Sequence, residues 1–175
     1  MRVPMKASVR GTSLDDRERV LDVVRRAFAS SDRRDNEESG IVAQTWELDA
    51  VPDGLDLVAE DRGVIRGHVM AARGRLAGTD ALGIAPLSVS PSHQRQGIGT
   101  ALMNAMLAGA EAAGWPFVVL LGDPAYYGRF GFEPAGPRGI VYEPVGADSV
   151  HFQIRTFQAD DLHDRRGTFR YCWEL

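Results

Sequence analysis

The stretch LGIAPLSVSPSHQRQGIG, Leu82 to Gly99, decides how the rest of the chain is read. Its first half, Leu82 to Val89, is an apolar strand interrupted by Pro86. Proline has no N–H to give a sheet ladder, so it marks a bulge or a gap there. Pro91 opens a short polar loop, and Gln94-Arg95-Gln96-Gly97-Ile98-Gly99 leads into an amphipathic helix. A strand, a glycine-bearing turn and a helix start together make an anion site. The first helical N–H groups have no partner within the helix, the helix dipole favours negative charge, and glycine keeps side chains out of the way.

Downstream, Ile98, Leu102, Ala105, Met106, Gly109 and Ala113 mark the core face of a helix that Gly114 and Pro116 close. Phe117-Val118-Val119-Leu120-Leu121 has no polar alternation and reads as a strand buried on both faces, parallel to the strand before the helix. The three form a right-handed β-α-β unit. Gly122-Asp123-Pro124 opens a short helix, with Asp123 as cap and Pro124 in the first turn, and Gly131 ends it. Two more strands, near Val150 to Phe157 and Thr168 to Trp173, are expected to pair with each other at one edge.

Upstream, Leu55 to Glu60 and Val64 to Arg73 are β-rich runs around a hairpin turn, Asp61-Arg62-Gly63, so with Leu82 to Val89 they make three antiparallel neighbours. Ser13 and Asp16 resemble a capping pair for a helix from Leu14 to Ala29, and Met5 to Arg10 reads as a first strand. Between them, Ser30 to Gly40 is dense in charge and reads as a polar loop running into a second helix that carries Ile41, Val42, Thr45, Trp46 and Leu48.

At 175 residues the chain is the size of one domain with its own core, and 44% hydrophobic with 25% charged residues is ordinary for a globular protein. A net charge of −4 gives no basic footprint, so nucleic acid is not an expected partner. The single cysteine, Cys172, is expected in the core; it makes no internal disulfide and fits a reducing, cytoplasmic setting. No apolar run approaches the roughly 20 residues a membrane span needs. His93, His151 and His163 lack metal-ligand spacing and read as surface residues, so no metal is expected.

Three phosphate-binding motifs compete for Gln94 to Gly99. The dinucleotide fingerprint needs a third glycine where Leu102 stands, and the P-loop needs a Gly-Lys-Ser/Thr that is absent here. What remains is Q-x-x-G-x-G opening a helix. This resembles the pyrophosphate loop of the GNAT superfamily of acetyl-CoA-dependent N-acetyltransferases. The resemblance extends to Pro86 in the preceding strand, to Phe117–Leu121 after the helix, and to Tyr126-Tyr127-Gly128-Arg129-Phe130-Gly131-Phe132 beyond it. Within that superfamily, A-P-L-S-V-S-P with G-D-P-x-Y-Y-x-R-F-G-F is most similar to a bacterial subgroup of predicted acetyltransferases.

The resemblance implies an α/β, mixed α+β fold of GNAT type spanning residues 1–175. A central mixed sheet of about six or seven strands is flanked by about four helices, with parallel strands 4 and 5 splayed apart. It implies acetyl-CoA as cosubstrate, gripped at the pyrophosphate by Gln94, Arg95, Gln96, Gly97, Ile98, Gly99 and Thr100. Leu87, Ser88 and Val89 would pair with the pantetheine arm, the Val89 N–H polarising the thioester carbonyl, and Asp123 and Tyr127 would join the cofactor site. Tyr127 is the implied general acid beside the sulfur. For the base, Ala81 to Ala85 offers no carboxylate, which leaves Glu60, His68 or water held by Ser88. Glu60 also reads as a solvated charge at a hairpin tip, and His68 as a strand-face histidine. The acceptor would be the primary amine of a small molecule or peptide and the protein a monomer or homodimer. The alternatives are a non-catalytic acyl-CoA sensor, or an acyltransferase using another acyl group or a hydroxyl acceptor.

Overall fold

A computed structural model describes residues 7–29, 37–158, 162 and 165–175. In chain order the strands are β1 (Ser8–Gly11), β2 (Asp56–Asp61), β3 (Val64–Leu76), β4 (Thr79–Ile84), β5 (Ser88–Val89), β6 (Phe117–Leu121), β7 (Glu133–Pro134), β8 (Ile140–Val141), β9 (Phe152–Thr156) and β10 (Gly167–Tyr171). The helices are α1 (Arg17–Phe28), α2 (Glu37–Glu47), α3 (Ile98–Ala112) and α4 (Pro124–Tyr127).

Local chemistry accounts for most boundaries. The Ser13 N–H and hydroxyl both donate to Asp16 Oδ2, each at 2.8 Å, and a 3₁₀ turn over Leu14–Asp16 leads into α1. Arg62 (φ 50°) and Gly63 (φ 77°) both have positive φ, as a two-residue type I′ hairpin between β2 and β3 requires. Gly114 (φ 81°) stops α3. The helix α2 starts at Glu37, inside the stretch expected to be loop; two glutamates in a first turn suit the helix dipole, and Val42 and Thr45 are wholly buried beneath it. The rest of that expected loop, residues 30–36, lies outside the described residues, as does His163.

The sheet runs β1-β2-β3-β4-β6-β9-β7, with β5 and β10 added on β3 and β8 on β10. Strands β2, β3 and β4 are antiparallel neighbours. The parallel contact of β4 with β6 has a single register pair, Gly83 with Val119, so the two part beyond it. Among the described residues, seven strands along the main path and four α-helices form the mixed GNAT-type architecture expected, the splayed parallel pair being β4 and β6. α3 packs on one face against Leu55, Ala59, Val69, Ala71 and Leu82, and α1 covers the other through Val20, Val23 and Val24 on Val58 and Met70.

Two expectations are corrected. β9 and β10 do not pair with each other: β9 lies between β6 and β7, while β10 pairs antiparallel with Gly74–Leu76 of β3. The reason is the length of β3, whose last residues run past the end of β2 and leave an edge that β10 fills. On α3, Met103, Leu107 and Ala110 are buried whereas Ala113 is exposed, because Phe130, Phe132 and Tyr126 cover a second flank of the helix.

Candidate active site

Opposite β3, Ile84 pairs with Ala71 and Ser88 with His68, so Ala85, Pro86 and Leu87 face only Val69 and Met70. This is the bulge that Pro86 announced. On either side the ladder resumes: the Ala85 N–H donates to Met70 O (3.0 Å) and the Ser90 N–H to Arg66 O (2.8 Å). Donors alternate along an antiparallel strand, so the N–H groups of Leu87 and Val89 turn away from β3, into the gap where β4 and β6 part.

After a 3₁₀ turn over Pro91–His93, Gln94 is extended, Arg95 is left-handed (φ 57°) and Gly97 (φ 86°, ψ 0°) is the N-cap of α3. The Gln94 amide donates to Val89 O (3.2 Å) and that of Gln96 to Ser92 O (3.2 Å), tying the loop to the strand it leaves. The Ala101 N–H bonds Gly97 O (3.0 Å) as the first closed turn of α3, which leaves the amides of Ile98, Gly99 and Thr100 as the free helix start. No atom lies within 4 Å of a Cβ built on Gly97, so the space before those amides is open; on Gly99 a Cβ would come within 2.5 Å of the Tyr126 hydroxyl. Ile98 is buried and anchors the turn, whereas Gln94, Arg95, Gln96 and Gly97 are exposed.

The aromatic segment stands over the same place. Asp123 is the N-cap of α4 and accepts the Ala125 N–H at 2.9 Å. Tyr126 contacts Phe130 (5.6 Å between centroids), and the Arg129 guanidinium sits 4.1 Å from the Tyr126 ring centroid. Tyr127 packs edge-on against Tyr126 (4.9 Å) and Phe132 (6.0 Å) and lies on Gly122 at the end of β6. Burial first, and the neighbouring Tyr126 second, push the Tyr127 phenol well above its ordinary range, so it stays protonated. From the opposite face Tyr171, fully buried and absent from the sequence-based set, donates its hydroxyl to Ile84 O (3.2 Å) where β4 ends.

Of the residues named as bases, the Glu60 carboxylate is held by Arg10, through Nε at 3.0 Å and Nη2 at 2.5 Å, on the β1 side of the sheet. It is thus an ion-paired residue on β2, one strand in from the edge. His68 is completely buried and its Nε2 lies 2.8 Å from Asp56 Oδ1. Asp56 also accepts from the Thr12 hydroxyl (2.7 Å) and the Trp46 indole N–H (2.8 Å). Burial alone would raise the Asp56 pKa, but the bonds from His68, Thr12 and Trp46 outweigh it and hold the group below its ordinary value, as a carboxylate. Cys172 is half-buried, its thiol pushed up chiefly by burial, which suits packing better than nucleophilic attack. Among the described residues no group of His, Cys, Asp or Glu is placed to hold a metal ion.

Residues 8–135 match the family model described as an acetyltransferase (GNAT) domain. The chain is 35% identical over 120 residues to the uncharacterised N-acetyltransferase YhbS of Escherichia coli K12, covering 67% of this chain and 71% of that protein. It is 32% identical over 133 residues to the uncharacterised N-acetyltransferase YjhQ of the same organism, covering 73% of this chain and 71% of that one. The crystal structure of Escherichia coli YhbS in complex with CoA superposes with a TM-score of 0.86 at 28% identity, over 98% of this chain and 92% of that one. A family acetyltransferase of Brucella melitensis in complex with acetyl-CoA gives 0.79 at 29% identity, over 95% and 96%.

Proposed function

The chain belongs to the GNAT family of acetyltransferases, and from that premise we propose that it moves the acetyl group of acetyl-CoA to a primary amine of a small molecule or peptide by direct attack. The observation that carries the reading is the convergence of three features on one cleft. These are the open amides at the start of α3, the outward N–H groups of Leu87 and Val89 beyond the Pro86 bulge, and Tyr127 on the end of β6. Similar proteins with CoA or acetyl-CoA bound support the choice of cosubstrate.

In this scheme the amides from Arg95 to Thr100 hold the pyrophosphate, helped by the helix dipole. Gln94 keeps that loop docked to Val89. Leu87 to Val89 pair with the amide-bearing pantetheine arm as a neighbouring strand would, and the Val89 N–H donates to the thioester carbonyl as negative charge develops on its oxygen. Tyr127, kept protonated by burial, donates to the sulfur as the thiolate leaves. Asp123 acts through the cap, fixing α4 and so the direction of the Tyr127 side chain.

The test joins calorimetric titration with CoA to a screen of acetyl-CoA consumption across simple amines, polyamines, aminoglycosides and peptide N-termini. CoA binding with turnover of at least one amine class is the expected result. Tight binding with no turnover favours an acyl-CoA sensor, and no binding sinks the pyrophosphate site.

A further inference from the structure

The scheme above moves a proton onto the sulfur but assigns no group to accept the proton that the amine must lose. On the sheet face opposite α3, beneath α1 and α2, β3 and β5 bring two unsatisfied polar atoms together. His68 shares the face of Met70 and Val58, and is fully buried. Its Nε2 faces Asp56 Oδ1 at 2.8 Å, and a carboxylate can only accept, so Nε2 carries a proton. Trp46, edge-on to the imidazole at 6.2 Å, donates its indole N–H to the other Asp56 oxygen and so fixes the carboxylate against the ring. The second ring nitrogen, Nδ1, is buried with no hydrogen-bond partner among the described residues. The Ser88 hydroxyl, 1% exposed as a residue, is in the same state.

His68 and Ser88 are direct partners in the β3–β5 register, a position that sets their side chains on the same face with Cβ atoms about 5 Å apart. Ser88 sits between Leu87 and Val89, whose amides face the cleft. His68 Nδ1 and Ser88 Oγ are neighbours by register but make no hydrogen bond to each other, which leaves both free to take up a bridging water or a turned serine rotamer, and buried polar groups of this kind ask for a functional account. From this juxtaposition we propose that Asp56, His68 and Ser88 form the proton relay of acetyl transfer, with His68 Nδ1 as the terminal acceptor and Asp56 as a positioning residue.

The step balances. The amine nitrogen bonds to the carbonyl carbon and the carbon–sulfur bond breaks. The proton lost by the amine passes to Ser88 Oγ, directly or through one water, while the Ser88 hydroxyl proton reaches the Nδ1 lone pair through one bridging water or after a turn of the Ser88 rotamer, since the two groups are not hydrogen-bonded to each other in the structure. Tyr127 gives its phenol proton to the departing sulfur. One proton enters the His68–Asp56 pair and one leaves Tyr127, and solvent restores both after the products go.

This inference rests on the acetyl-transfer reading, and its test separates the two. The full chain labelled with ¹⁵N-histidine is recorded at neutral pH, the His68 signals being assigned by their loss in His68→Gln. The expected spectrum is a neutral ring protonated at Nε2; an imidazolium, or a ring protonated at Nδ1, overturns the relay. With the best amine of the screen, Ser88→Ala and His68→Gln are expected to lower kcat about 10²-fold, with CoA affinity within about twofold of wild type. Ser88→Thr, which keeps the hydroxyl, restores most of kcat. If His68→Gln fails to fold, Ser88→Ala against Ser88→Thr decides. Undiminished kcat in Ser88→Ala, with CoA bound, sinks the relay alone, whereas a wild-type chain that binds no CoA sinks the acetyl-transfer reading and the relay with it.

Discussion

Replacing Gly97 tests the pyrophosphate assignment most directly, because the position isolates charge from shape. Gly97 is left-handed (φ 86°), and a Cβ there meets nothing within 4 Å. Alanine, lysine and glutamate therefore all incur the same backbone strain of about 1–2 kcal/mol and no clash. For a chain of this size that strain lowers Tm by about 2–8 °C, leaving each variant folded at room temperature. What differs is the charge set beside the free amides of Ile98, Gly99 and Thr100. A glutamate about 4 Å from a phosphate oxygen interacts with roughly 1 kcal/mol in bulk water and 4 kcal/mol at an effective dielectric of 20. Taking about 2 kcal/mol, Gly97→Glu binds CoA about 30-fold more weakly than Gly97→Ala, and Gly97→Lys binds more tightly than Gly97→Ala. The glutamate also competes for the amides itself, as an internal anion. Calorimetry with CoA at low salt and again near 1 M salt, where the screening length is about 3 Å, should show the three affinities drawing together. Equal weakening in all three variants would refute the charge argument, and wild-type affinity in Gly97→Glu would remove the phosphate from this loop.

Tyr127→Phe should lower kcat about 10²-fold and leave CoA affinity unchanged, read by thiol release and calorimetry; unaltered turnover excludes the phenol from the chemistry. Acid stability depends on Asp16, whose side chain is 1% exposed and whose pKa is held far below the ordinary carboxylate range, first by the hydrogen bonds from Arg10 and then by those from Ser13, against burial. A depressed pKa stabilises the fold above the unfolded value of about 3.9, and that share is lost as pH falls below it. Denaturant melts should therefore be flat near neutrality and weaken below about pH 4. Asp16→Asn, which loses about 1–2 kcal/mol at neutral pH, should show a shallower acid slope. An unchanged slope in the variant places the acid sensitivity elsewhere.

The parts legible in the sequence were those set by neighbours along the chain. Pro86, Gly97 and the Asp123-Pro124 pair each act within a few residues, and the structure has a bulge, a left-handed cap and a capped turn at those positions. Asp56 and His68 show why the rest was not. Counting pairs outward from the Arg62-Gly63 turn sets Asp56 opposite Val69, on the α3 face, with its side chain pointing away from His68. The register shift between Ala59 and Glu60 moves its partner to Met70 and turns Asp56 to the His68 face. The extra residue is Arg66 on β3, between the partners of Glu60 and Ala59; it exchanges the two faces, and Gly67 beside it is the only local trace of it in the sequence. The partner of β10 was hidden likewise, since the edge it fills exists only once β3 outruns β2.

That overhang has a consequence during synthesis. Gly74 precedes its partner Tyr171 by 97 positions (171 − 74), so at about 5–20 residues per second the ribosome leaves this edge without its cover for about 5–20 s. A bare edge is a template for pairing with another nascent chain. Arg73 and Arg75 alternate along it, both exposed, Arg75 being paired with Asp80 of β4 at 2.9 Å, and charged side chains on an edge oppose its pairing with another copy. These arginines thus serve as gatekeepers for the interval before β10 arrives, a duty that ends once the sheet is closed.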